Sequence, residues 1–237
     1  MNRNFKQSFL QVFTTNLKAV WVIYAVYLAL IVWASVAAGA GRSSIGGYAV
    51  ILIGFYFIVG VAEPREDLRL LVQNGVARRT AFTALAAAEG AAVLLSAVVL
   101  EAVTAVAGLL VPDSLAVMDL YQMFFAWGAP LSLSGHLLSA LFTALLCAAF
   151  FFLGTFLALL FWRLEKGWMN VAAALVLAAA VKLIVDGSLL LTTRVPGFAA
   201  LMSAPGSWLV LFLAVALLFA VLGWLLLRSC HIRGRKG

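Results

Sequence analysis

The sequence predicts an all-α polytopic membrane protein, with six transmembrane helices and an N-terminal amphipathic helix lying in the membrane plane. Three observations predict it. Of the 237 residues, 65% are hydrophobic and only 11% charged, whereas a soluble domain carries roughly 25% charged residues. Uncharged runs recur at a length near the roughly 20 residues a helix needs to cross the hydrocarbon core. Lys and Arg fall almost wholly in alternate intervals between those runs, which is the signature of membrane topology.

The elements follow in order. In residues 1–18, Phe5, Phe9, Phe13 and Leu17 recur every four positions, with Arg3, Lys6, Gln7, Gln11 and Lys18 between them. That spacing predicts an amphipathic interfacial helix. No charge occurs between Lys18 and Arg42, which gives a first span near 19–39. Small residues at 35–40 resemble a signal-peptidase site, but the apolar run is long for a signal core, so an uncleaved anchor is expected. A second uncharged run gives a span near 46–62, and an Ala/Val/Leu-rich stretch a third over 80–111. The run from Asp119 to Arg163 is too long for one crossing; it divides into an interfacial segment, 120–130, and a fourth span, 132–162. The fifth span, 168–193, carries Lys182 and Asp186. The sixth, 207–227, follows Pro196, Gly197, Pro205 and Gly206, residues that break helices. A basic tail, 228–237, ends the chain. The transmembrane domain is thus 19–227.

With both termini cytoplasmic, thirteen Lys and Arg residues lie on the cytoplasmic side and only Arg42 and Arg194 opposite. A multi-pass protein of the cell (inner, cytoplasmic) membrane is expected, in contact with lipid. The net charge of +7 is dispersed among short loops and tails, which excludes a nucleic-acid stripe. Cys147 and Cys230 lie far apart, giving neither a disulfide framework nor a metal cluster.

Catalytic signatures are missing from the sequence. No G-x-x-x-x-G-K-[ST] phosphate loop occurs. Ser134-Gly135-His136 is the nearest approach to a serine nucleophile with a base, and His136 reads as an interfacial polar residue. The intramembrane acids are too scattered for a metal-dependent lipid enzyme. No cofactor or metal is expected in this chain, and it is not read as an enzyme.

The most informative stretch is 63–79, a cytoplasmic helix and turn. Pro64 suits a first helical turn, and Glu66 and Asp67 favour a helix N-terminus. Leu68, Leu71 and Val72 form an apolar stripe, flanked by Glu63, Arg65, Arg69 and Gln73. Asn74-Gly75 tolerates the left-handed conformation and stops the helix. The next helix starts near Val76–Arg79, with Arg78 and Arg79 at phosphate level.

This loop resembles the pattern in small six-span permease subunits of type-2 ATP-binding-cassette (ABC) exporters. The matching residues are Asn74, Gly75, Val76, Ala77, Arg78, Arg79 and Thr80; Ala77 stands where the pattern has Ser or Thr. The layout of the rest is also similar. The resemblance implies that 63–79 is a coupling helix docking on a separate cytoplasmic ABC ATPase subunit, which would bind the ATP and Mg. It also implies a second permease chain, in a homo- or heterodimer with the pathway between the two. Two alternatives stay open: a non-transporting membrane partner such as an immunity or sensor subunit, and a membrane-embedded lipid enzyme. The sequence selects no substrate.

Inside the membrane, Glu89 lies about 12 residues, hence about 18 Å, beyond Ala77. It either lines a pathway or pairs with a polar neighbour. Lys182 and Asp186 share a helix face and can neutralise each other, or serve a pathway. Glu101 is expected near the outer interface.

Overall fold

The computed structural model describes residues 3–37, 43–46, 48–110, 115–126, 131–163 and 204–229. The architecture is helical: α1 (Arg3–Ala37), α2 (Tyr48–Gln73), α3 (Arg78–Leu110), α4 (Leu133–Arg163) and α5 (Pro205–Ser229). All five are long and apolar enough to cross a membrane, as in a multi-pass membrane protein. The fifth predicted span, with Lys182 and Asp186, lies outside the described residues, as does the tail beyond Ser229.

The all-α expectation needs one amendment. β1 (Ser43–Gly46) and β2 (Leu115–Met118) pair in parallel, Ser43 opposite Leu115 and Gly46 opposite Met118. Each strand lies in a segment joining two helices, so the ladder satisfies backbone groups that no helix claims there.

Residues 3–37 form one unbroken helix, about 52 Å long at 1.5 Å per residue, which takes in both the expected amphipathic segment, 1–18, and most of the expected first span, 19–39. No Gly or Pro interrupts them, so nothing in the backbone favours a break. The buried stripe is Ser8, Val12, Asn16, Val20, Tyr24, Tyr27 and Ile31. Phe9 and Phe13 sit on its flank, half-buried, with ring centroids 5.6 Å apart. The period-four signal therefore marked the edge of a protein-facing side.

The second expected boundary is also absent. α2 runs unbroken from Tyr48 to Gln73, past the predicted end at 62 and through Pro64. Leu68 and Leu71 are buried against Val12, Val76, Phe82, Leu85 and Leu227. Packing them into the bundle removes their apolar surface from water without an in-plane turn.

The helix stops at Asn74-Gly75. Gly75 has φ +80°. Its N–H donates to the Val72 carbonyl at 3.1 Å, and the Val76 N–H to the Leu71 carbonyl at 3.0 Å. These two bonds make a Schellman cap, and Leu71 and Val76, both buried in one cluster, supply the apolar contact that accompanies it.

Two apolar clusters fix the helix directions. One joins Val12, Leu71, Phe82, Leu159 and Leu227 at what we term the Asn74 end. The other joins Tyr27, Ala49, Leu100, Ala107 and Phe142 toward the His136 end. Ring contacts Phe142–Phe212 and Phe156–Phe219 place α4 and α5 side by side and parallel. The chain thus leaves α4 at the Asn74 end and enters α5 at the His136 end.

Candidate functional site

The Asn74 end presents a polar tip on a rigid support. Arg69, Gln73, Asn74, Gly75 and Arg79 are exposed; Asp67 and Arg78 are half-buried and partnered. The side chains of Glu63, Arg65 and Glu66 lie outside the described residues. Beneath the tip, Leu68 is fully buried. The turn therefore joins two helices that continue straight into the bundle, with no loop to absorb a displacement.

A second arrangement runs along the interior, mainly between α1 and α3. Asn16 and Glu89 are both 0% exposed, and the Asn16 side-chain amide donates to Glu89 Oε1. Of the two readings of Glu89, the structure thus provides the polar neighbour, on α1. Two turns further along α3, the Tyr24 hydroxyl donates to the Ser96 carbonyl. The Tyr56 hydroxyl, from α2, lies 2.7 Å from Ser96 Oγ. Next, Tyr27 meets Thr104 at 2.9 Å. Glu89, Ser96 and Thr104 are spaced by seven and eight residues, which keeps them on one helix face. This seam went unread in the sequence because tyrosines and single hydroxyls look apolar-compatible in a span. The seven-to-eight spacing on α3 was the available signal.

The seam ends in a cluster of ionisable groups. His136 Nδ1 lies 2.6 Å from Glu101 Oε1, and the Ser139 hydroxyl donates to Glu101 Oε2 at 2.6 Å. Ser139 Oγ also contacts Asp119 Oδ2. Asp119 Oδ1 accepts the Gln122 N–H, and the Asp119 N–H donates to Gln122 Oε1 at 3.2 Å. His136 and Glu101, read separately in the sequence, are brought together; Asp119 and Ser139 were missed, because only the fold brings them there. Ser134 bonds Ser132 instead, at 2.9 Å. The Ser139 hydroxyl faces carboxylates rather than an imidazole, so this cluster does not have a serine nucleophile's geometry. Among the described residues no group of His, Cys, Asp and Glu has the arrangement to hold a metal ion.

Beside this cluster, α2, α4, α5 and segment 119–126 enclose an apolar groove of about 1040 Å³. Its walls include Phe57, Tyr121, Phe125, Phe142, Trp208 and Phe212. A π-helical turn, Gln122–Ala126, shapes one wall. No protein-family model, curated protein or solved structure matches the chain.

Proposed function

We propose that this chain is the permease subunit of an ABC exporter in the cell membrane, working as a dimer with a second permease chain and driven by a separate cytoplasmic ATPase. The observation that carries the reading is the Schellman-capped α2–α3 tip. It offers Arg69, Gln73, Asn74 and Arg79 to a partner over a buried Leu68–Leu71 base. A push on such a tip travels along α2, whose Gly60 touches the α4 backbone, so motion there reaches the groove between α2, α4 and α5. ATP and Mg would bind in the partner, consistent with a sequence lacking a phosphate loop.

Six crossings fit the parallel α4 and α5, because the connection between them starts at one end of the bundle and finishes at the other. The Lys and Arg bias then orients the Asn74 end and both termini toward the cytoplasm. The aromatic groove favours hydrophobic or amphipathic cargo.

The test is co-purification of the tagged chain from its native membrane, beside an Arg69→Glu/Arg79→Glu variant. We expect a stoichiometric ATPase subunit with the parent and its loss from a variant that still folds. Recovery of the folded parent alone in gentle detergent would reject the exporter reading and favour a non-transporting sensor or immunity subunit.

A further inference from the structure

The cluster at the His136 end poses a problem of hydrogen counting. Ser139 has one hydroxyl hydrogen. Its oxygen contacts two carboxyl groups, Glu101 Oε2 and Asp119 Oδ2. One hydrogen satisfies one of these contacts. The other contact needs a hydrogen supplied by the carboxyl itself, donated to Ser139 Oγ. Two ionised carboxylates meeting at one hydroxyl would also repel strongly, since Glu101 is only 8% and Asp119 only 7% exposed.

The remaining partners agree with this count. Glu101 Oε1 is occupied by His136 Nδ1, and Asp119 Oδ1 by the Gln122 N–H. With one shared proton, each of these contacts has a hydrogen to fill it. Without that proton, one contact becomes oxygen against oxygen with none between.

The three groups belong to three different elements. Glu101 is on α3, Ser139 on α4, and Asp119 opens the segment that supplies Leu120, Tyr121, Phe124 and Phe125 to the groove wall. We propose that Glu101 and Asp119 hold one proton between them through Ser139, and that its loss frees segment 119–126 from α4. The cluster is then a proton-linked latch on one wall of the groove. The proton belongs to the pair rather than to either residue. It departs to water past His136, whose side chain is 33% exposed.

Among the described residues, the other titratable groups facing the pair are few. From α1 it is Tyr27, bonded to Thr104, with Tyr48 of α2 against it at a 4.1 Å centroid distance. From α4 it is His136. α5 carries no ionisable side chain before Arg228. None of these places a third carboxylate against the pair.

The sign follows from linkage. The closed form holds the proton, so rising pH favours the open form, by up to about tenfold in population per pH unit over the range in which the open form has released the proton and the closed form still holds it. The experiment uses the full chain in nanodiscs with Cys230→Ser and an added Leu120→Cys. Maleimide labelling is compared, below about pH 7.5, with that of Leu133→Cys, an exposed α4 site; both thiols are then mostly protonated, so their ionisation cancels in the ratio. The chain with only buried Cys147 is the blank. We expect the Leu120→Cys to Leu133→Cys rate ratio to climb with pH. It should stay flat after Asp119→Asn or Glu101→Gln, since a neutral amide removes the repulsion. Either variant suffices if the other fails to fold. An infrared difference spectrum, parent minus Asp119→Asn, should show the carbonyl stretch of a protonated carboxyl. A pH-independent ratio in the parent, an equal slope in the amide variants, or no such carbonyl band would each overturn the proposal.

Discussion

Gly60 of α2 and Phe151 of α4 meet backbone to backbone: a Cβ built on Gly60 would lie 2.3 Å from the Phe151 carbonyl oxygen. One turn further along α4, a Cβ on Gly154 would lie 2.6 Å from the Phe57 carbonyl oxygen. Two glycines on facing helices thus let the axes approach until main chain touches main chain, the small-residue packing that stabilises helices in lipid.

Any side chain at either position must push α2 and α4 apart. Gly60→Ala and Gly154→Ala are each expected to destabilise the chain by about 1–3 kcal/mol, the usual cost of overpacking. Gly54→Ala, which meets nothing within 4 Å, should be near neutral. Thermal unfolding in detergent checks this; equal melting temperatures for all three variants would contradict the close contact.

Gly75 tests conformation without sterics. A Cβ there meets nothing within 4 Å, yet φ is +80°. Gly75→Ala should cost about 1–2 kcal/mol for holding an L-residue in the left-handed region, and Gly75→Asn less, because Asn tolerates that region. Melting curves for the two variants should rank in that order. If Gly75→Ala equals the parent, the cap does not hold the turn.

The Asn16–Glu89 contact predicts a non-additive pair. Glu89→Gln keeps an oxygen for the Asn16 amide and should be mild. Asn16→Leu removes the amide from a buried carboxyl, and Glu89→Leu leaves the amide without its acceptor; each should cost about 1–3 kcal/mol or more. The double variant Asn16→Leu/Glu89→Leu should lose less than the sum of the two. Strict additivity in a double-mutant cycle would mean that the two side chains act independently.

Much of the architecture was legible from charge and length alone. Uncharged runs located the helices because lipid excludes ionised side chains over a fixed thickness. Asn74-Gly75 was legible because a Schellman cap is local: its bonds lie within the six residues Leu71–Val76 and its conformation favours glycine. The continuity of α1 was not legible. Phe5, Phe9 and Phe13 form an apolar stripe that suits a lipid surface or a protein neighbour, and only the position of α3 decides between them. The run through Pro64 was hidden for the same reason, since the burial of Leu68 depends on Val12, 56 positions earlier. Asp119 and Ser139 were invisible as a pair because their meeting depends on how segment 119–126 folds back on α4.

The seam between α1 and α3 has a consequence for biogenesis. Asn16, Tyr24 and Tyr27 find their partners 73, 72 and 77 residues later in the chain. At a synthesis rate of about 5–20 residues per second, α1 waits about 4–15 s before α3 emerges. During that interval its polar face has no protein mate, and hydrocarbon is a poor solvent for an amide. The nascent α1 therefore has reason to linger at the insertion machinery until α3 arrives, and the two helices enter the lipid as a couple rather than one at a time.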